Sequence, residues 1–490
     1  MNTHWRSFAP ILLGLAAAQL LSTGFIAWSN QDYYHTLTVL DQAGYVIVPN
    51  RNVLPALTTL SAAANGGLFF TLTIGLTLSL AAGGLAMSFR GGPRSGKRII
   101  PAGFVWLLCI GAANYRGINL FFTALLLIVP TAVFLSALKW LPKSSREQRW
   151  HGLRTHAVLL TVFTAIVIMK ADMELFLEIR DRLLLSTEIG EKLNDFYYRN
   201  SLYSANAFKS MGQLLIKPCR LDFPATANHA SQIRNQLLLR DYLPVEAHAD
   251  MHIRMSGSDL IFQQAGKDVL TATIRDFLLR PREILDEFVR KCDRHAFFRN
   301  ATMVSLLFSG AAVLYACCCL PIFAVVGGIL PWARKTPVRV VLCSGAAAAL
   351  LYLLSPPGHV AEPDLTRALA TEDPHRRIEA LKRVHDQALD IYRYAPVNRL
   401  AESPRAAERY WLARALAKSR QPAAREVILR LLDDRQFNVV CMAYYALGFQ
   451  GNPGDIRSVL ERLRRSTNWY EQWYGYRTLR KLGWIQTTST

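Results

Sequence analysis

The chain has 490 residues, of which 51% are hydrophobic, and it carries a formal net charge of +20 at pH 7. This hydrophobic fraction is too high for an ordinary soluble protein of this length, and it is concentrated in long apolar runs. The positive charge does not favour nucleic-acid binding, because much of it lies in short basic stretches between the runs, where it is typical of membrane topology. We therefore expect no nucleic-acid partner.

Seven apolar runs are long enough to suggest membrane helices, since about 20 helical residues cross the hydrocarbon core of a bilayer. They lie near residues 9–28, 66–88, 100–114, 118–138, 155–169, 303–331 and 338–355. The predicted fold class is a polytopic α-helical membrane protein with about seven transmembrane helices. Its first partner is then the lipid bilayer, and its expected location is the plasma (inner) membrane.

Alternate connections between these runs carry the basic residues. One side of the membrane receives Arg6, Arg90, Arg94, Lys97, Arg98, Lys139, Lys143, Arg146, Arg149, Arg154, Arg334, Lys335 and Arg339. By the positive-inside rule that side is the cytoplasm. The N-terminus is therefore expected in the cytoplasm, and the C-terminus outside it.

Residues 1–170 are predicted to form a membrane region of five helices. Two features of this region stand out, a connection with turn residues and a run rich in small residues. The 29–65 connection contains turn residues around a short β-like run, Tyr45–Val48. The second apolar run carries small residues that would let helices approach closely and form a packing face: Gly67, Gly75, Ala82, Gly83 and Gly84.

Residues 171–300 are predicted to form a small extracytoplasmic α+β domain. The segment starts as an amphipathic helix that continues the fifth membrane helix. Apolar and polar residues then alternate over residues 248–255, and two glycine-bearing turns separate this run from Leu260–Gln263 and Val269–Ile274. This pattern predicts a three-stranded meander.

One face of the first predicted strand is a candidate metal site. His248, Asp250 and His252 stand at i, i+2 and i+4, so they could present two imidazoles and a carboxylate to zinc or another transition metal. The alternative, which we prefer, is the polar outer face of a half-buried sheet. No zinc-protease, paired-cysteine or nucleophile-elbow motif accompanies these residues, so we predict no catalytic residue and no cofactor.

Cys219 and Cys292 are the only cysteines of the 171–300 segment. An oxidising compartment would permit them to form a disulfide, and we expect that they do. Two unlinked thiols are the alternative.

Beyond two further membrane helices (301–356), residues 357–490 are predicted to be helical and repetitive. A core centred on Ala443, Ala446 and Leu447 is followed about 32 residues later by Gly475 and Leu479. Paired helices with this period are typical of an α-solenoid.

The segment LDDRQFNVVCMAYYALGFQGNPGDIRSVLERL resembles the HEAT-like repeats of the short bacterial type, related to those of phycobilisome lyases. The resemblance covers roughly residues 364–485. It departs where the usual Val-Arg is replaced by Val439-Val440, and where aromatic residues occupy the last unit. It implies a helical-repeat fold and protein binding, and not lyase chemistry.

Three aromatic residues of the last unit, Trp469, Trp473 and Tyr474, are the candidate partner-binding residues, since Trp and Tyr dominate binding hot spots. Capping of the solenoid end is their alternative role. The sequence thus favours a membrane scaffold or adaptor whose extracytoplasmic repeats bind a protein. A transporter or its accessory subunit, and a membrane enzyme acting on lipid or envelope substrates, remain open.

Overall fold

The computed structural model describes residues 3–89, 96–140, 146–170, 177–329, 338, 341–346, 349 and 360–487. Six helices come first: α1 (Thr3–Gln42), α2 (Leu60–Phe70), α3 (Leu76–Phe89), α4 (Gly96–Asn114), α5 (Leu120–Trp140) and α6 (Arg146–Lys170). A π-helical stretch, Thr71–Gly75, joins α2 to α3, so that the three stretches form one continuous helical segment.

Within the described residues, four helical stretches are long and apolar enough to cross a membrane: Phe8–Gln42, Leu60–Phe89, Leu120–Trp140 and Ala296–Cys319. Shorter apolar helices, Gly103–Asn114 and Ala157–Met169, coincide with two more of the predicted runs. The seventh predicted run, 338–355, lies mostly outside the described residues. The described structure therefore supports four of the expected seven spans by length and composition.

The connection after α1 is shorter than expected. α1 continues to Gln42, so the predicted 29–65 loop is reduced to residues 43–59. Tyr45–Val48 is irregular backbone and not a strand. Tyr45, Ile47 and Val48 are nevertheless buried, because this loop packs against other parts of the chain and not against itself.

The small-residue face of the second span is confirmed at two positions. A Cβ on Gly67 would lie 2.9 Å from the backbone nitrogen of Thr23, and one on Gly75 would lie 2.6 Å from the Cβ of Ala18. These approaches hold α2 and the π-helical stretch directly against α1. Gly84 faces open space and plays no such part.

A five-stranded sheet follows α7 (Glu188–Asn206). Its strands are β1 (Lys217–Asp222), β2 (Tyr242–Pro244), β3 (Met251–Ser256), β4 (Asp259–Gln264) and β5 (Lys267–Thr273), in the order β2-β1-β3-β4-β5. β3, β4 and β5 form the predicted antiparallel meander, whereas β1 is parallel to both of its neighbours. β1 and β2 were not predicted: burial does not alternate regularly along β1, which contains Pro218, and β2 has only three residues.

Three helices pack around this sheet: α8 (Ala230–Leu238), α9 (Ile274–Leu279) and α10 (Pro281–Cys292). The domain core consists of apolar side chains from both layers, including Met251, Ile253, Phe262, Phe277 and Phe288, all fully buried. α11 (Ala296–Ile329) then leads into the fourth candidate span.

The C-terminal part is built from paired helices. They are α12 (Leu365–Ala370), α13 (Pro374–Asp386), α14 (Val397–Ala401), α15 (Ala406–Leu416), α16 (Pro422–Leu431), α17 (Phe437–Gln450), α18 (Ile456–Arg465) and α19 (Trp469–Lys481). α13, α15, α17 and α19 pack side by side in one layer, and α14, α16 and α18 form the other. The helical solenoid predicted from the repeat pattern is confirmed.

Polar contacts between neighbouring repeats recur at a similar chain separation. Arg377 donates to Glu408 at 2.7 Å, Arg409 donates to Asp434 at 2.6 Å, and Gln450 donates to the carbonyl of Ser419 at 2.9 Å. The partners stand 31, 25 and 31 residues apart. Each repeat is therefore tied to the next by charge-assisted or backbone-directed hydrogen bonds, in addition to its apolar core.

Candidate partner-binding surface

One end of the repeat layer is held by the segment that follows α6. Glu178, Arg180 and Asp181 are buried there against α13 and α15. The indole of Trp411 donates to Asp181 at 2.7 Å, and the Lys382 ammonium donates to Glu178 at 2.9 Å. Buried charges need such partners, because an unpaired one would be strongly destabilising. The first repeats are thus fixed to the chain that leaves the sixth helix.

The protonation of Lys382 follows from these contacts. Burial alone lowers the pKa of an ammonium group. The carboxylates of Glu379 and Glu178 outweigh that effect, and the net pKa of Lys382 is raised above its ordinary value. Lys382 therefore remains charged and holds Glu178 in place.

The other end of the layer is held by α7. The Trp469 indole donates to the carbonyl of Tyr198 at 2.7 Å, and the Tyr198 ring packs 4.6 Å from the ring of Tyr470. Asn194 donates to Asn438 at 2.6 Å in the same buried contact. Trp469, one of the predicted partner-binding residues, is therefore buried against the chain's own helix.

The 43–59 loop, which joins the first two candidate spans, also binds the repeats. Asn50 donates through its backbone to Gln472 at 2.8 Å and through its side chain to the carbonyl of Leu463 at 2.8 Å. Val46 and Gln486 exchange two hydrogen bonds of 2.8 and 2.9 Å. No local sequence signal indicated this contact, since the partners stand more than 400 residues apart.

α19 is joined to the sheet domain as well. The hydroxyl of the fully buried Tyr476 donates to Asp241 at 2.5 Å, and Arg480 donates to the carbonyl of Leu239 at 2.7 Å. Burial raises the pKa of Asp241, although its hydrogen bond from Tyr476 and the charge of Arg480 act in the opposite direction. α19 therefore contacts α7, the 43–59 loop and the sheet domain at once.

A different part of the same layer is left open. The C-terminal ends of α15, α17 and α19 each present two side chains that are four residues apart. We call these six residues the cation–aromatic patch: Arg414, Lys418, Tyr445, Phe449, Arg477 and Lys481. The central helix supplies the two aromatic rings, and the flanking helices supply two cations each.

The rings and cations of the patch are in direct contact. The Lys481 ammonium lies 3.7 Å from the ring centre of Phe449 and 4.9 Å from that of Tyr445. Lys418 lies 4.7 Å from the Phe449 ring on the other side. Phe449 is 42% exposed, so a large apolar surface is open between two ammonium groups.

The patch lacks acidic partners. Among the described residues, none of its four cations forms a salt bridge, whereas Arg377, Arg409, Arg425 and Arg462 elsewhere in the repeats are all paired with carboxylates. Burial, followed by the charges of Arg477 and Lys418, lowers the pKa of Lys481. The buried Nε of Arg414 has no hydrogen-bond partner in the described structure. The patch therefore holds uncompensated positive charge.

His385 adjoins the patch in its neutral form. Its Nδ1 lies 2.9 Å from the carbonyl oxygen of Arg414, and its Nε2 lies 3.0 Å from the guanidinium of the same residue. The first contact requires Nδ1 to donate and the second requires Nε2 to accept, which only the neutral imidazole can satisfy. Burial and the charges of Arg414 and Lys418 accordingly lower the pKa of His385.

Of the other two aromatic residues predicted for partner binding, Trp473 contacts the patch and Tyr474 packs against Tyr470. Trp473 is half-buried under the Arg477 guanidinium, 4.5 Å from the ring centre. Tyr474 is half-buried against Tyr470, with ring centres 5.2 Å apart. Trp473 therefore extends the stripe of Arg477 and Lys481 by one helical turn.

The structure does not bring His248, Asp250 and His252 together. His248 has a positive φ of 51° in the turn before β3, so the expected alternation begins only at Met251. His248 stacks near His35, with ring centres 6.1 Å apart, and His252 faces Asp222 at 3.3 Å. The described residues contain no group of three or more His, Cys, Asp or Glu side chains suited to a metal ion.

The expected disulfide is also absent, since Cys219 and Cys292 are both free thiols in the structure. Cys219 is fully buried in the core face of β1, and Cys292 is half-buried at the end of α10. Burial raises the pKa of Cys219 far above its ordinary value and that of Cys292 to about 11. Both groups therefore act as apolar packing residues in their reduced form.

Comparison with known proteins bears on the repeat region alone. No curated protein and no solved structure matches the chain. The family model for HEAT repeats matches residues 395–477, which include α15, α17 and most of α19. The C-terminal part of this chain is therefore a HEAT-repeat region, as the resemblance of residues 432–463 implied.

Proposed function

We propose that the protein is a membrane-anchored scaffold whose HEAT repeats hold an acidic segment of a protein partner. HEAT repeats commonly mediate protein–protein interaction. The observation that carries the proposal is the cation–aromatic patch, where four cations without carboxylate partners in the described structure surround two aromatic rings. A partner that alternates acidic and apolar side chains would satisfy both components.

The internal contacts of the repeats support a scaffold with a fixed orientation. Glu178 and Asp181 hold α13 and α15, Tyr198 holds α19, and Asn50 holds the α18–α19 end. These contacts attach the repeat layer to the 177–206 segment and to the 43–59 loop, which adjoin the candidate membrane helices. A partner bound at the open patch would therefore have a defined position relative to the membrane.

We further propose the topology that the basic residues favour, with a cytoplasmic N-terminus, seven spans and both folded parts outside the cytoplasm. The pattern of contacts supports it. Tyr45, just after α1, contacts the sheet domain at Pro244, Asn65 near the start of α2 contacts Asn200 of α7, and Asn119 before α5 contacts His295 in the turn before α11. The connections at these helix ends contain few basic residues. The strongly basic connections follow the opposite ends of the same helices.

Reporter fusions at the C-terminus test this topology. Alkaline phosphatase should be active there and green fluorescent protein should be dark, because the first folds only outside the cytoplasm and the second fluoresces only inside it. The opposite pair of results would refute the seven-span arrangement.

Peptide binding tests the patch. The full chain in lipid nanodiscs is titrated against a fluorescent peptide of alternating glutamate and leucine, and anisotropy is measured. The double variant Lys418→Glu/Lys481→Glu should bind at least tenfold more weakly, because two attractive charges become repulsive. Phe449→Ala should weaken binding without any change of net charge.

The matched control is Lys192→Glu/Arg457→Glu, which makes the same change of net charge at highly exposed positions away from the patch. It should change the affinity by less than about twofold, since exposed charges interact weakly through solvent. A glutamine-for-glutamate peptide and empty nanodiscs report non-specific binding. Equal losses in the patch variant and in the control variant would refute the proposed binding site.

A further inference from the structure

A cavity of about 670 Å³ lies where α1, the start of α5, the 207–218 connection and the turn between α10 and α11 meet. This volume is within the range of roughly 300–1,000 Å³ that is usual for small-molecule sites. Leu21, Phe25 and Trp28 line it from the apolar run of α1, whereas Ser29 and Asp32 line it from the polar turns that follow. The cavity therefore straddles the polar end of the first candidate span.

Two carboxylates, both of exposed residues, line this cavity. Asp32 of α1 and Asp250, just before β3, both line it, and neither forms an ion pair with any residue that the structure describes. Burial raises the pKa of Asp250, and the nearby charge of Asp32 raises it further, while Arg294 acts in the opposite direction. Two close acids of this kind favour a positively charged group between them.

Two cations face the same cavity from another wall. Lys209 is half-buried, burial lowers the pKa of its ammonium group, and no described carboxylate pairs with it. The stem of Arg294 crosses Gly117 so closely that a Cβ there would lie 3.2 Å from its Cδ. By contrast, the carboxylate of Asp293, which also lines the cavity, accepts a hydrogen bond of 2.9 Å from Arg299. Lys209 and Arg294 are therefore available to an anionic group.

The cavity continues into an apolar surface at its membrane end. Trp28 is 67% exposed and Leu120 is 77% exposed, although both belong to candidate spans. Beneath them Phe25 stacks on Phe121 at 4.4 Å and on Phe208 at 4.8 Å. This aromatic floor joins α1, α5 and the 207–218 connection, so the shape of the cavity is set by a packed core.

We propose that this cavity binds the headgroup of an amine-bearing zwitterionic phospholipid. The amine would lie between Asp32 and Asp250, and the phosphate would lie near Lys209 and Arg294. The acyl chains would leave the cavity along the exposed apolar face of α1 beside Trp28. The inference depends on the proposed insertion of α1 in a membrane.

Other ligand charges fit less well. An anionic headgroup would be attracted by Lys209 and Arg294 but repelled by Asp32 and Asp250. A purely cationic ligand would be attracted by the two acids but repelled by the two basic groups. Because Asp32, Asp250 and Arg294 are exposed and only Lys209 is half-buried, the preference comes from this attraction and repulsion and not from buried charge, and it favours a ligand that carries both signs.

The preference for a zwitterionic over an anionic phospholipid is measured by lipid retention. The full chain is reconstituted in nanodiscs that contain equal amounts of phosphatidylethanolamine and phosphatidylglycerol, released in mild detergent, and analysed by native mass spectrometry. The wild type should retain phosphatidylethanolamine at least fivefold over phosphatidylglycerol. Asp32→Asn/Asp250→Asn should remove this preference, because the amine loses its carboxylate partners. Lys209→Gln should lower the retention of both lipids, because both carry a phosphate. Asp286→Asn, on an exposed face of α10 outside the cavity, should leave it intact.

A second arm separates the lipid from a soluble ligand with the same headgroup. Millimolar phosphoethanolamine should not displace the retained lipid if the acyl chains contribute to binding, and displacement would indicate a small soluble ligand instead. Equal retention of both lipids by the wild type, an unchanged preference in Asp32→Asn/Asp250→Asn, or unchanged retention of both lipids in Lys209→Gln would overturn the proposal. Resistance of the chain to alkaline carbonate extraction is measured on the same membranes, and its loss would refute membrane anchoring itself.

Discussion

The buried ion pair between Arg409 and Asp434 gives the sharpest test of how the repeats are held together. Their side chains are 6% and 7% exposed, and Arg409 donates to both carboxylate oxygens at 2.6 and 2.9 Å. Arg409 also donates to the carbonyl of Ser403 at 2.6 Å. Arg409→Met keeps much of the side-chain volume but leaves Asp434 as a buried charge without its cation.

Loss of one partner from a buried pair typically costs about 3–5 kcal/mol. Asp434 keeps one donor, the backbone N–H of Gln436 at 2.8 Å, and it lies near the N-terminus of α17, where the helix dipole favours a negative charge. We therefore expect Arg409→Met to destabilise the repeats by about 3 kcal/mol, at the lower end of that range. Arg409→Lys should destabilise the repeats less, because it keeps the positive charge. Some loss should remain, since lysine cannot form the bidentate contact with the carboxylate.

Cys441 provides the assay. Its side chain is 1% exposed in α17, so a thiol reagent reaches it only when the repeats open. In the full chain, alkylation of the Cys441 peptide is followed by mass spectrometry under native conditions. A loss of about 3 kcal/mol predicts a labelling rate roughly 100-fold faster, since each 1.4 kcal/mol is about tenfold.

Arg457→Met is the control, because Arg457 pairs with Glu461 while their side chains are 92% and 52% exposed. Such a pair contributes about 0.5 kcal/mol or less, so the labelling rate should rise less than about threefold. If Arg409→Met and Arg457→Met accelerate labelling equally, burial does not determine the strength of this repeat contact, and the reasoning is wrong.

Three further predictions concern other contacts. Gly67→Ala should destabilise the helix packing by about 1–3 kcal/mol and lower the melting temperature in detergent, whereas Gly24→Ala, with nothing within 4 Å of its new Cβ, should not. Trp469→Phe should lose the hydrogen bond to Tyr198 and speed Cys441 labelling about fivefold, as expected for roughly 1 kcal/mol. The pKa of His385 is lower in the folded protein than its unfolded value of 6.5. Its contribution to stability is therefore complete above pH 6.5 and is lost as the pH falls. His385→Asn should reduce this acid sensitivity, which melting curves from pH 7.5 to 5.5 would measure.

Much of the architecture was predictable because its signals are local. The long apolar runs predicted the four stretches that meet the length and composition of a membrane span. The 32-residue period predicted the helical repeats, and the alternation after Met251 predicted the meander. Each of these signals comes from residues within one or two elements, where side-chain period directly reflects helix or strand geometry.

The candidate metal residues are separated in the structure for an equally local reason. The alternation of His248, Asp250 and His252 assumed an extended backbone, but the left-handed turn at His248 rotates it away from the strand. Asp250 instead faces Asp32, more than 200 residues earlier in the chain, across a cavity. No period in the sequence connects these two acids.

The sequence by itself determined which segments are apolar, which are repetitive and which ends carry the basic charge. Only the tertiary structure decided what those segments contact. Trp469 was a candidate for partner binding, yet α7 covers it, while Lys418, Phe449 and Lys481 form the open patch instead. The physical reason is that exposure and charge balance depend on which helices pack side by side. Within the repeat layer those helices stand about 30 residues apart, and contacts between the repeats and the 43–59 loop join residues more than 400 apart.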